Sequence, residues 1–175
     1  MRQKVLKRFT VIGLPGSGKS TFALQLGKLL DIPIHHLDGH MFLPGGKKRA
    51  KEEFLSIQKR LVDEESWIIE GCAISSLEMK FSRSDTVIYF QLPRFLCMWR
   101  AFKRFIRYKF TGEAADGCSK IFDVELLRYI WNFEKEKGAI IEALRKKYPD
   151  ADFHVFKSSK DADVFLKIWE HEFFF

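Results

Sequence analysis

The chain has 175 residues, 30 Lys and Arg against 23 Asp and Glu, and a formal net charge of +7. That length suits one domain with room for a core, and 46% hydrophobic with 30% charged residues excludes a disordered or fibrous chain. No apolar run reaches the roughly 18 residues of a membrane span, the N-terminus lacks a signal peptide's apolar region, and Cys72, Cys97 and Cys118 show neither a disulfide framework nor a zinc spacing, so a cytoplasmic protein with no membrane partner is expected.

Phe9 to Ile12 is a short apolar run that stops at Gly13 and predicts a strand. Apolar residues at 22, 23, 26, 29 and 30 predict a helix over Lys19–Leu30. A second strand starts at Pro33-Ile34 and runs through Leu37, and Pro44-Gly45-Gly46 marks a loop. Apolar residues at 54, 55, 57, 61 and 62 predict a helix over Glu52–Val62. Trp67-Ile68-Ile69 is a third strand, and Thr86–Leu92 is a fourth, closed by Pro93. Longer helices are expected over 94–110 and 123–148, then a strand over Phe153–Phe156 and a helix over 161–172. Short strands alternating with helices imply an α/β domain, residues 1–175, with a parallel sheet covered on both faces.

Gly13-Leu14-Pro15-Gly16-Ser17-Gly18-Lys19-Ser20 matches G-x-x-x-x-G-K-[ST] in full, with Thr21 after it, and falls between a strand and a helix. Residues 13–21 are therefore the expected ATP-binding loop: glycines allow a tight turn whose N–H groups face phosphate oxygens, and the helix N-terminus adds partial positive charge. Lys19 is expected to reach the β- and γ-phosphates, and the Ser20 hydroxyl to ligate Mg²⁺. Such a loop defines a nucleotide site and not a reaction. No base-reading Asn-Lys-x-Asp segment marks a GTPase, and the chain is short for a motor, so a small-molecule or nucleotide kinase is the economical reading.

Further along come Ile34-His-His-Leu-Asp38, Trp67-Ile-Ile-Glu-Gly71, Asp85-Thr-Val-Ile-Tyr-Phe-Gln-Leu-Pro-Arg94 and Trp131-Asn-Phe133. With the loop, this series resembles the adenylate-kinase-related P-loop kinases known as topology-modulation (FlaR-like) proteins, over residues 8 to 169. The resemblance implies a P-loop NTPase fold of nucleoside-monophosphate-kinase type: a five-stranded parallel sheet flanked by helices, with a helical lid over about 94–135. It implies ATP binding and kinase chemistry and names no acceptor. The chain departs from the family at Glu70 (usually Asp), at Cys72-Ala73 (usually Asn-Tyr), at Lys80 (often Arg), and at Tyr108–Thr111, where a lid often carries Arg-Thr-Arg.

Asp38, at the end of the second predicted strand, should point into the crevice that open parallel sheets form at their carboxyl ends, where it would orient an acceptor hydroxyl. Glu70 closes an apolar strand, the form of a carboxylate that holds Mg²⁺ through water. His35, His36, Asp38 and His40 raise a zinc reading, but Gly39 interrupts the strand and no further ligand spacing supports it. One of His35 and His36 is expected to pack in the sheet, the other to face the site or solvent.

Residues 94–110 hold six basic and no acidic groups. Arg100, Arg104 and Arg107 form a basic stripe, with Trp99, Phe102, Ile106 and Phe95 as an apolar stripe beside it. The arginines are expected on a lid, stabilising phosphoryl transfer. An amphipathic surface helix and a nucleic-acid site are alternatives. Lys47-Lys48-Arg49 with Lys51 is a second basic cluster, and Phe173-Phe174-Phe175 is an apolar terminus.

The reading is a Mg²⁺- and ATP-dependent kinase for a small anionic or nucleoside-like acceptor, acting as monomer or homodimer through Lys19, Asp38, Arg100, Arg104 and Arg107, with Ser20 and Glu70 on the metal. The alternatives are a nucleotide-dependent DNA-binding regulator and an ATP-binding pseudokinase. The basic balance, once divided along the chain, fits an anion-handling site and does not require DNA.

Overall fold

The computed structural model describes residues 7–41, 43, 47–111 and 122–174, with side chains as far as 171. The expected Pro44-Gly45-Gly46 loop, Cys118, part of the expected lid and the side chains of the terminal phenylalanines lie outside the described residues.

Strands β1 (Arg8–Gly13), β2 (Ile34–His36), β3 (Trp67–Glu70), β4 (Thr86–Phe90) and β5 (Asp152–Phe156) form one parallel sheet in the order β2-β3-β1-β4-β5. Helices α1 (Lys19–Leu30), α2 (Leu37–Met41), α3 (Lys51–Asp63), α4 (Leu77–Phe81), α5 (Arg94–Thr111), α6 (Val124–Lys147) and α7 (Ser159–Phe174) connect and flank it. The elements follow the expected order. Two ends differ. β2 stops at His36, and Leu37 opens α2, so Asp38 stands in a first helical turn and not at the end of a strand. β4 stops at Phe90, two residues short of Leu92.

Side chains alternate across a strand, and this aims β3. Ile68 packs into the core beneath Phe22, Ala23 and Leu26 of α1, whereas Trp67 and Ile69 pack with Phe54, Leu61 and Val62 of α3. Glu70 lies two residues beyond Ile68 and so shares the α1 face, toward Lys19 and Ser20. His36 is its register partner across β2 and β3 and points the same way. His35 takes the opposite face and meets Glu64 at 3.0 Å.

One group of phenylalanines gathers under α1 and α7. Phe22 meets Phe90 and Phe156 edge-on at 5.5 Å, and Phe165 at 5.8 Å. Aromatic rings in edge contact add about 0.5–1.5 kcal/mol per pair beyond area burial. This rigid floor anchors α1, whose first turn forms one wall of the site.

Candidate active site

The loop between β1 and α1 depends on two glycines. Gly16 has φ 79°, and a Cβ there would lie 2.3 Å from the Cys97 carbonyl oxygen, so only glycine lets α5 rest on the loop. Gly18, at φ 99°, is the N-cap of α1 and brings no side-chain oxygen, which leaves the first amides of α1 for an anion. Ser17 Oγ is buried with no hydrogen-bond partner among the described residues. Lys19 is nearly buried: Nζ donates to the Leu14 carbonyl at 2.9 Å and lies 3.5 Å from Glu70 Oε1.

Glu70 is the hub. It is 5% exposed, Ser20 Oγ donates to its Oε2 at 3.2 Å, and His36 Nδ1 lies 3.0 Å from the same oxygen. Burial works to raise its pKa, but Lys19, His36 and Ser20 outweigh burial and hold the carboxyl below its ordinary range. An ionised buried carboxylate beside a hydroxyl, an ammonium and uncapped helix amides is a donor set that fits a magnesium-bound triphosphate. The orphaned Ser17 hydroxyl fits the same group.

Asp38 is exposed to solvent, with protein dense enough around it to shift its carboxyl. Burial, with the Glu70 charge adding to it, raises its pKa, while Lys19, Arg104 and His36 pull it down. Tyr129, on α6, is held protonated far up the scale, chiefly by burial and then by the charges of Cys72 and Asp38. Charge on Arg104 of α5 and on Asp38 of α2 is thus felt across the site, the first by Asp38 and the second by Tyr129 of α6.

The three expected arginines do not act as one stripe. Arg104 is partly buried and faces Asp38 electrostatically. Arg100 turns toward the start of α7, where Nη2 donates to Ser159 Oγ at 3.1 Å. Arg107 is exposed. The apolar stripe of the same helix lies outward: Phe95, Trp99, Phe102 and Ile106 all face solvent.

Three further neighbours escape the sequence reading. His36 stands out there as one of a histidine pair, and strand register alone makes it the partner of Glu70. Lys80 is fully buried, donates to the Gly71 carbonyl at 2.9 Å, and has its pKa lowered to about 8 by burial, against the charges of Cys72 and Glu70. Cys72, between β3 and the following 3₁₀ turn, is pushed up by burial despite the charges of Lys80 and Lys19. No periodicity distinguishes Lys80 from a solvated lysine. Its departure from arginine in the resembled family is the only signal.

The histidine cluster makes no zinc site: among the described residues, no group of three or more His, Cys, Asp or Glu is arranged to hold a metal. In the second basic cluster, Arg49 donates to the His40 carbonyl at 2.9 Å and pairs with Glu53, while Lys47 and Lys48 are exposed. A separate cleft of about 610 Å³ adjoins the loop at Leu14 and is lined by Leu92, Arg94, Ile130, Trp131 and Glu134, but it includes none of Lys19, Asp38 or Glu70. No helix among the described residues is long and apolar enough to cross a membrane.

No protein-family model matches the sequence, and no curated protein does. Solved structures do. A shikimate kinase from Acinetobacter baumannii, in complex with shikimate, shares 14% identity at TM-score 0.63 over 97% of this chain and 96% of that one. A shikimate kinase from Bacteroides thetaiotaomicron shares 13% at TM-score 0.60 over 98% and 100%. A gluconokinase from Sinorhizobium meliloti shares 12% at TM-score 0.52 over 98% of each. At these identities the likeness is one of fold: a five-stranded parallel sheet flanked by helices, the architecture of small P-loop kinases.

Proposed function

We propose that the chain is a Mg²⁺- and ATP-dependent kinase that phosphorylates a small acceptor seated at Asp38. The observation that carries this reading is the joining of Lys19, Ser20 and His36 on one buried carboxylate, Glu70, at the mouth of a complete phosphate loop. The fold likeness to shikimate kinase and gluconokinase supports it. The narrower placement among topology-modulation proteins rests on the sequence segments alone.

Magnesium-bound ATP supplies the phosphoryl group and an ion that neutralises charge on its β- and γ-oxygens. The chain supplies the rest. Residues 13–21 cradle the phosphates, with Lys19 and the first amides of α1 facing their charge. Ser20 and Glu70 hold the metal, and His36 fixes the Glu70 carboxylate. Asp38 would orient the acceptor hydroxyl and take its proton as the acceptor's oxygen bonds the γ-phosphorus and the bond from that phosphorus to the β-phosphate oxygen breaks, leaving ADP. Arg104 faces the charge that develops between acceptor and donor, and Arg100 flanks the nucleotide near Ser159. Arg107 is exposed and is assigned no contact with the reacting groups.

An ADP-release screen across nucleosides, nucleotides, hydroxy acids and polyols, with shikimate and gluconate among them, tests the reading. Acceptor-dependent release that Lys19→Ala loses is expected. Full turnover by Lys19→Ala would sink it. ATP binding with no turnover on any acceptor would favour the pseudokinase, against which the complete donor set speaks.

A further inference from the structure

Helix α5 is amphipathic in the opposite sense to a helix resting on a protein. Its buried residues are the small Cys97 and Ala101. At about 100° per residue, Phe95, Trp99, Phe102, Ile106 and Phe110 fall on the opposite face. All five are exposed, Phe95 by 66%, Trp99 by 57% and Phe110 by 85%. They recur at helical spacing along a line about 22 Å long. Trp131 of α6, also exposed, extends the line through an edge contact with Phe95 at 5.7 Å. An apolar row of this size on a surface marks an interaction site.

The charge on the helix itself is of one sign. The helix carries Arg94, Arg100, Lys103, Arg104, Arg107 and Lys109, with no acid. Lys103 Nζ lies 5.9 Å over the Trp99 ring, Lys109 Nζ 5.4 Å over Phe105, and Arg94 4.0 Å over Trp131. Cations thus border the row on both flanks.

We propose that the outer face of α5 docks on an anionic lipid surface. The aromatic row enters the boundary between headgroups and acyl chains, and Arg94, Lys103 and Lys109 meet lipid phosphates. The contact is peripheral. It involves no helix that crosses the bilayer. It does not depend on the kinase reading.

Two other occupants fit less well. A second copy meeting this face through its own α5 would set the cations that border the row, Arg94, Lys103 and Lys109, against their own copies. A single nucleic-acid strand needs open ring faces, but Trp99 and Phe102 lean on each other at 6.1 Å and Ile106 has no ring.

Co-sedimentation of the full chain with vesicles tests the proposal, using phosphatidylcholine alone and phosphatidylcholine with roughly one-third phosphatidylglycerol. Pelleting with the anionic vesicles, weakening as salt rises, and a blue shift of tryptophan emission are expected. Trp99→Ser with Phe110→Ser should abolish pelleting. Lys103→Gln with Lys109→Gln should weaken it about thirtyfold. Val164→Ser with Ile168→Ser, an exposed apolar pair on α7, should leave it unchanged. Circular dichroism confirms that each variant folds. Absence of pelleting with either vesicle overturns the proposal, as does equal pelleting by the Trp99/Phe110 variant. Retention of oligothymidylate without vesicle binding overturns it in favour of nucleic acid. A dimer lost in the Trp99/Phe110 variant, without vesicle binding, overturns it in favour of a second copy.

Discussion

Glu70 and His36 are register partners across β3 and β2, and His36 Nδ1 stands 3.0 Å from Glu70 Oε2. A histidine that bonds a carboxylate proposed to hold the metal acts through that carboxylate. Groups that hold a metal ligand in place by a hydrogen bond are worth about 10–100-fold in metal affinity. Glu70→Gln is expected to raise the Mg²⁺ concentration needed for half-maximal ADP release by about 100-fold, and His36→Ala by about tenfold. His36→Asn, which retains a donor, should recover part of the loss. Magnesium titrations of steady-state turnover check this. An unchanged requirement in His36→Ala counts against the relay.

The lid arginines should separate by kinetic parameter. Arg104 faces Asp38, and Arg100 reaches Ser159 at 3.1 Å. Arg104→Gln is expected to lower kcat about 10²–10³-fold, the usual cost of removing one donor to a developing charge. Arg100→Gln should raise KM for ATP and change kcat little. Arg107→Gln should stay within about threefold of wild type in both, since surface changes cost little. Equal losses at all three positions would contradict the division.

Asp38 gives a pH signature. Its pKa lies above the ordinary 3.8, first through burial and then through Glu70, while Arg104 opposes the shift. The acidic limb of kcat/KM is therefore expected above that value. It should move further up in Arg104→Gln, which removes a charge that lowers the pKa. Asp38→Asn should abolish the limb and cost about 10²–10⁴-fold in kcat. A limb that stays fixed in Arg104→Gln would place the titrating group elsewhere.

Lys80 makes a prediction about stability. Burial lowers its pKa from 10.5 to about 8. Between those values the folded chain binds fewer protons than the unfolded one, so stability from this group rises with pH there. Below pH 8 the full cost, about 3 kcal/mol, is present. Lys80→Met removes the cost and sacrifices one hydrogen bond to Gly71, worth about 1 kcal/mol. Its melting temperature should equal or exceed wild type at neutral pH, and the gap should narrow as pH climbs from 8 toward 10.5. Thermal melts across that range decide it, and a constant gap refutes the assignment.

The loop, the strands and the Glu70 carboxylate are legible in the sequence because each is a local matter. Eight contiguous residues make the phosphate loop, and an acid after three apolar residues is a strand end whatever surrounds it. Even the face that Glu70 takes follows from its distance to Ile68. Asp38 is not legible as part of a helix, because three residues of β2 are too few to show where a strand stops.

Only the tertiary structure decides which side of a helix meets the protein. The pattern of α5 contains an apolar row, and ordinary experience places such a row inward. The tight approach of Cys97 to Gly16 instead puts the small side of the helix against the loop and the aromatic side outward. The same rotation sends Arg104 to Asp38 and Arg100 to Ser159. Periodicity measures the angle between residues on a helix, and the angle between that helix and its neighbours is set by contacts distant in sequence.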